Sequence, residues 1–320
     1  MHTVFITGAD GFIGSALCAQ LEASGYRVLR GIQPRDGAPA STEYPVLAID
    51  IGPDTNWDGV LQGVDSIIHL AARVHILRET ETDPHAAFRR VTTAGTERLA
   101  CAAAQQGVKR LVFISTIGVH GSSTPTGNPF SELSSIAPHS PYAQSKWEAE
   151  QALRQIEQET GLEVVIVRPP LVYGPGVPGN FVRLLNWVYR GIPLPVSAVS
   201  NQRSFAALDN LVDFLRVCVE HPDAAGQVFL ISDTERVSTP DLVHRLAQAL
   251  DRPARLFPCP LPLLRLLGSV SGRRQSIDQL IGSLTVDSSK ARQQLNWQPV
   301  MLMDDELAQM AQWFKSRGQT

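Results

Sequence analysis

Val4-Phe5-Ile6-Thr7-Gly8-Ala9-Asp10-Gly11-Phe12-Ile13-Gly14 decides the fold of this chain. Residues 2–7 form a β-rich apolar run, and Gly8 follows it directly. Phe12, Ile13, Ala16, Leu17 and Leu21 then recur at helical spacing. Strand, tight turn and helix start, in that order, are what dinucleotide binding needs. Glycines let the backbone approach a pyrophosphate, whose charge meets free N–H groups and the positive end of the helix. The spacing is Gly8, Gly11, Gly14, not the more familiar Gly-x-Gly-x-x-Gly.

Working outward, apolar runs near 2–7, 26–32, 46–50, 65–70, 110–115 and 163–168 predict strands. Amphipathic stretches near 12–23, 84–106 and 141–160 predict helices. The alternation predicts an α/β fold with a doubly wound parallel sheet covered on both faces. Ligands of such sheets sit beyond the carboxyl ends of the strands, where Thr7, His69 and Thr116 fall. After residue 168 the chain turns rich in Pro and Gly, which predicts loops closing over a ligand and no long regular element up to about 195. The remainder predicts short helices and one clear strand, Val228-Phe229-Leu230-Ile231. Ser238-Thr239-Pro240-Asp241 reads as a helix N-cap with proline in the first turn.

Composition narrows the function. Hydrophobic content of 43%, charged content of 18% and a net charge of −3 describe a globular chain whose main partner is expected to be neither nucleic acid nor an anionic membrane surface, with no stable membrane insertion. Cys18, Cys101, Cys218 and Cys259 have no metal-ligand or redox spacing, and neither do His75, His120 and His139, so no metal is expected. No signal segment or membrane-spanning run is visible, so the cytoplasm is expected. Tyr142 and Lys146 lie four residues apart on one helix face. An ammonium held there favours the ionised phenol, lowering a pKa otherwise about 10 and making the phenol a usable proton donor and acceptor. On spacing alone, a solvated surface pair is the alternative.

Taken together, Thr7 to Gly14, Asp50-Ile51, Ile68-His69-Leu70-Ala71-Ala72, Phe113-Ile114-Ser115-Thr116, Tyr142/Lys146, Arg168-Pro169-Pro170-Leu171-Val172-Tyr173-Gly174 and Asp287-Ser288-Ser289-Lys290-Ala291 run in order along nearly all of the chain. The chain thereby resembles the extended short-chain dehydrogenase/reductases of the nucleotide-sugar epimerase/dehydratase superfamily. The resemblance implies a Rossmann-type domain over 1–168 and a smaller substrate lobe over 169–320, with part of about 205–235 returning to the first. It places Thr116, Tyr142 and Lys146 in the catalytic roles. Around the cofactor it places Gly8, Asp10, Gly11, Phe12, Ile13, Gly14, Leu70, Ala71, Ala72 and Pro169, with Asp50 and Ile51 at the adenine. It makes His69 structural. Toward the substrate it places Thr116, Asn180 and Arg203, with Arg273 or Arg274 as a second arginine. A homodimer through 84–106 and 141–160 is implied as well.

The second strand bears on the cofactor. Its acidic position falls on Ile32 or Gln33, while Arg30 and Arg35 flank it and suit a 2′-phosphate, which favours NADP over NAD. The expected activity is therefore reduction of a UDP-4-keto-6-deoxy-N-acetylhexosamine for surface polysaccharide synthesis. A UDP-hexose 4-epimerase with retained NAD is the close alternative, and a non-catalytic NADP sensor a more distant one. Leu261-Pro262-Leu263-Leu264-Arg265-Leu266-Leu267 is expected to bury against the substrate lobe, with peripheral membrane contact as the alternative.

Overall fold

The apolar runs of the first half pair side by side. The computed structural model describes residues 1–34, 46–73, 83–270 and 274–317. Its elements begin with β1 (Thr3–Thr7), α1 (Phe12–Ala23), β2 (Arg27–Ile32), β3 (Val46–Ala48) and β4 (Ser66–His69). They continue with α2 (Pro84–Phe88), a π-helical turn over Arg89–Ala94, α3 (Gly95–Gln105), β5 (Arg110–Ile114), α4 (Pro141–Thr160) and β6 (Glu163–Arg168). The stretch expected as one helix over 84–106 is thus interrupted midway by the wider turn.

A seven-stranded sheet has the order β3-β2-β1-β4-β5-β6-β9, where β9 is Val228–Leu230, and every pairing in it is parallel. The order reverses at β1, with Thr7 in register with Gly31 of β2 on one side and His69 of β4 on the other. The crevice beyond those strand ends is the switch point at which open α/β sheets bind ligands. Alternation along β1 sends Val4 and Ile6 into the core under α1, with Leu17 and Leu21, and Phe5 into the opposite core with Leu99 of α3 and Leu153 of α4. Both faces are covered, so the strands read as continuous apolar runs.

The second half departs from the expectation for 169–195. After β7 (Leu171–Tyr173), a ten-residue helix, α5 (Asn180–Tyr189), runs through it. The prolines explain why this is possible: Pro178 and Pro193 lie outside the helix, and no Pro or Gly interrupts 180–189. Next come β8 (Arg203–Ala207), α6 (Leu208–Glu220), β9, β10 (Arg236–Val237), α7 (Thr239–Leu250), α8 (Leu261–Val270), α9 (Arg274–Ile281), α10 (Ser289–Leu295) and α11 (Met303–Arg317). A small sheet β10-β8-β7 carries two strands beyond the one expected after residue 195. It packs with α5, α7 and α11 around Phe181, Leu185, Phe205, Leu246 and Met310. The α6 helix instead lies on the large sheet, where Phe214 meets Phe229 of β9 and Trp297. Ser238 caps α7 with a reciprocal box to Asp241. Among the described residues no helix is long and apolar enough to cross a membrane.

Candidate active site

The glycine turn is built by close approach. Gly8 adopts φ 69° at the end of β1, a conformation that disfavours side chains. A Cβ on Gly14 would lie 2.1 Å from the Gly8 carbonyl oxygen. Gly11 is the N-cap of α1 and supplies no side-chain cap, so the first N–H groups of the helix face the crevice without a side-chain acceptor. Leu70 and Ala71 pack against this turn: Leu70 N–H donates to the Thr7 carbonyl at 3.3 Å, and Ala71 N–H to Thr7 Oγ1 at 3.2 Å. Backbone donors and a bare helix start fit a dinucleotide pyrophosphate.

His69 closes the floor. Its ring is fully buried and lies 2.6 Å from Thr7 Oγ1 and 2.9 Å from Thr96 Oγ1. Thr96 spends its own hydrogen on the Thr92 carbonyl, so Nε2 donates to Thr96 and Nδ1 accepts from Thr7. Burial, aided by the Lys146 charge, drives the imidazole pKa down to about 3, leaving a neutral structural ring.

Thr116, Tyr142 and Lys146 come from two neighbouring elements. Thr116 follows β5, caps a short 3₁₀ turn over Ile117–Val119, and accepts the Gly118 N–H at 3.1 Å. Ser140 caps α4 by accepting the Ala143 N–H, and Pro141 fills its first position, so Tyr142 sits in the first turn. A Cβ on Gly118 would touch both Thr116 Oγ1 and the Ala143 methyl, which places the start of α4 against the Thr116 turn. The half-buried Tyr142 ring contacts Phe88 edge-on at 6.2 Å.

The electrostatics correct one expectation. Lys146 does not acidify the phenol here: its Nζ donates to the Ile114 carbonyl at 2.6 Å and lies 4.4 Å from the Phe113 ring centre. Desolvation instead pushes the Tyr142 phenol up to about 12. Burial pulls Lys146 down to about 7, against an opposing pull from Glu150. The lysine charge is thus near balance at neutral pH.

Beneath these residues lies a network that the sequence reading missed. Glu150, one turn past Lys146, meets the buried Arg168 guanidinium through both carboxylate oxygens and also accepts from Ser115. Arg168 Nη1 lies 2.9 Å from His120 Nε2. The signal was available: Glu150 continues the i+4 series from Tyr142 through Lys146, and Arg168 follows the apolar run Val164–Val167 directly.

Other expected positions are less convergent. Arg30 is turned to Glu22 of α1, its Nη2 lying 2.7 and 2.8 Å from the two carboxylate oxygens, so the expected 2′-phosphate partner is already engaged. Arg35 and Arg273 lie outside the described residues. Asp50 is exposed just beyond β3, while Ile51 packs on Gly95 of α3. The Pro169 carbonyl accepts the Ile117 N–H, bracing the Thr116 turn. Asn180 is exposed in the first turn of α5. Arg203 donates to the Gln279 and Gly282 carbonyls and lies over Phe205 at 5.9 Å. Among the described residues no group of three His, Cys, Asp or Glu side chains is placed to hold a metal.

The chain matches the model of the NAD dependent epimerase/dehydratase family over residues 4–232. It is 39% identical over 314 residues to a UDP-glucose 4-epimerase of Vibrio cholerae, covering 98% of this chain and 95% of that one. It is 27% identical to the N-acetyl-α-D-glucosaminyl-diphospho-ditrans,octacis-undecaprenol 4-epimerase of Escherichia coli O157:H7, covering 87% and 83%. The fold is similar to that of the UDP-glucuronic acid 4-epimerase of Bacillus cereus in complex with NAD, with a TM-score of 0.78 at 23% identity over 98% and 99% of the chains.

Proposed function

The chain belongs to the NAD dependent epimerase/dehydratase family, and from that premise we propose that it is a 4-epimerase of a UDP-linked hexose that retains NAD. The observation carrying this reading is the meeting of the Thr116 turn with the start of α4, which bears Tyr142 and Lys146, at the carboxyl edge of the sheet that holds the glycine turn. The 39% identity to a UDP-glucose 4-epimerase supports the choice. So does Arg30, whose engagement with Glu22 removes one argument for NADP.

In this reading the dinucleotide, when bound, supplies the hydride acceptor and donor. Tyr142 takes the C4 hydroxyl proton as carbon is oxidised and returns it, after the ketosugar has turned over, to the oxygen of the opposite configuration. Thr116 donates to the same oxygen as charge gathers there. To take that proton Tyr142 must first be the phenolate, a form that burial disfavours in the chain without dinucleotide and that the Lys146 ammonium, turned toward it, would favour. Gly8, Gly11 and Gly14 would bring backbone donors to the pyrophosphate, and Asp50 and Ile51 would hold the adenine. Residues 169–320 mainly hold the UDP-sugar, with Asn180 and Arg203 as its contacts. A cytoplasmic homodimer pairing the α2–α3 stretch and α4 completes the reading.

A second reading has one observation in its favour. β2 ends at Ile32, followed by Gln33, with no carboxylate to receive ribose hydroxyls. That suits net reduction of a UDP-4-keto-6-deoxy-N-acetylhexosamine by NADPH. Native mass spectrometry of the isolated protein, followed by assay with UDP-glucose, separates the two. Retained NAD with conversion to UDP-galactose and no added cofactor is expected. An empty site that consumes NADPH stoichiometrically with the 4-ketosugar would overturn the epimerase reading.

A further inference from the structure

One surface of the molecule has no place in the chemistry above. Residues 164–208 contain no Asp or Glu, and neither do residues 252–270, in a chain whose net charge is −3. The fold joins these two acid-free segments. The Leu194 N–H donates to the Arg255 carbonyl and its own carbonyl accepts the Phe257 N–H, Arg252 lies over the Tyr189 ring at 4.8 Å, and the Arg255 guanidinium rests beside Gly191. The joined face is apolar as well as cationic. Trp187 and Ile192 project at the end of α5, and Phe257 beside them is 44% exposed.

α8 extends the same face. Its Leu264 is buried in the core shared with Leu185, Val188 and Leu194, so the helix is anchored. Leu263 and Leu266 point the other way, 46% and 59% exposed, with Arg265 exposed between them. The segment thus packs one stripe on the core of the second half and leaves the other stripe exposed.

We propose that this face, formed by the end of α5, the 251–258 segment and α8, docks the protein peripherally on an anionic phospholipid surface. Complementary charge selects the partner. Arg190, Arg252 and Arg255, with Arg183 farther back along α5, match lipid phosphates and outnumber the carboxylates near them, Asp251 and the Asp278 that pairs with Arg265. Indole and phenol rings beside arginines suit the headgroup layer, and paired leucines suit the acyl boundary below it. A second copy meeting this face across a two-fold axis would set arginines against arginines, with Asp251 the one acid in 164–208 and 251–270 to neutralise them. Nucleic acid would leave Ile192, Leu263 and Leu266 unused.

The test uses the full chain in flotation with vesicles, and it is independent of which sugar reaction the protein performs. Vesicles of phosphatidylglycerol mixed with phosphatidylcholine should carry the protein upward, and pure phosphatidylcholine should not. Raising the salt should release it. The double variants R252E/R255E and L263S/L266S should each lower partitioning by about tenfold or more, a change of roughly 1.4 kcal/mol. Both should keep the parent's circular dichroism, melting temperature and dinucleotide binding. Absence from anionic vesicles overturns the proposal, as does equal flotation with neutral ones. A reversible self-association that L263S/L266S abolishes would assign the face to a second copy and overturn it too.

Discussion

Two buried polar clusters sit in this molecule and handle charge in opposite ways. Under the candidate active site, the Glu150 carboxylate meets the Arg168 guanidinium, with Ser115 and His120 completing their bonds. At the junction of β7, α6 and α11, Tyr173 donates to Asp233 at 2.9 Å, and Asp233 also receives the Ala207 N–H and the Asn210 amide. Glu306 lies nearby against Gly174, and no cation is among the groups acting on it. Burial, with the charges of Asp209 and Asp233 added, pushes its carboxyl up to about 8. Glu150 is held as one half of an ion pair, while Glu306 is held as a neutral acid at physiological pH. The first arrangement fixes geometry beside Lys146. The second ties the C-terminal helix to the small sheet at a cost that depends on pH.

The sharpest way to break this contrast is Glu150→Ala. It strands the Arg168 charge, which is 3% exposed, and should cost about 3–5 kcal/mol in urea unfolding. Replacing both partners, as E150M/R168M, should recover most of that loss. A single-variant loss under about 1 kcal/mol would remove the pair from the account.

Glu306→Gln sharpens the other side. The folded carboxyl titrates at about 8 and the unfolded one near 4.5. Stability from the neutral acid is therefore fully present below about 4.5 and is lost as pH rises through about 8. The variant should flatten that slope and be more stable than the parent at alkaline pH, by on the order of 2–4 kcal/mol. Identical pH slopes in the two proteins would refute the assignment. The smallest effect is expected for Tyr173→Phe, which removes one bond to a buried carboxylate and should cost about 1.5–3 kcal/mol.

Much of this molecule was legible before any coordinates. The strand, glycine turn and helix at 3–23 have short-range causes, as do the continuous apolar runs of the buried strands and the Ser238 cap. What escaped depends on through-space partners. Arg30 reaches Glu22 because β2 runs beside α1, a contact eight residues apart that no local pattern encodes. Lys146 faces a carbonyl across the sheet edge rather than the phenol one turn away, so the direction of the Tyr142 shift came out reversed. Helix α5 was hidden by the prolines that bound it, and β8 by its shortness and its Ser204, Ala206 and Ala207, which carry little strand preference. The outward leucines of α8 follow from which stripe packs, and that is decided by the partner core.

The central claim is that Tyr142 moves a proton while carbon at C4 exchanges hydride with a resident dinucleotide. Rapid mixing of the isolated protein with UDP-hexose, followed by the absorbance of reduced nicotinamide, tests it most directly. The parent should show a transient rise that decays as the sugar is released. Tyr142→Phe should bind dinucleotide as tightly and lose the transient's rate by about 10²–10⁴-fold. A variant that keeps its rate within tenfold, with the same dinucleotide bound, would contradict the account.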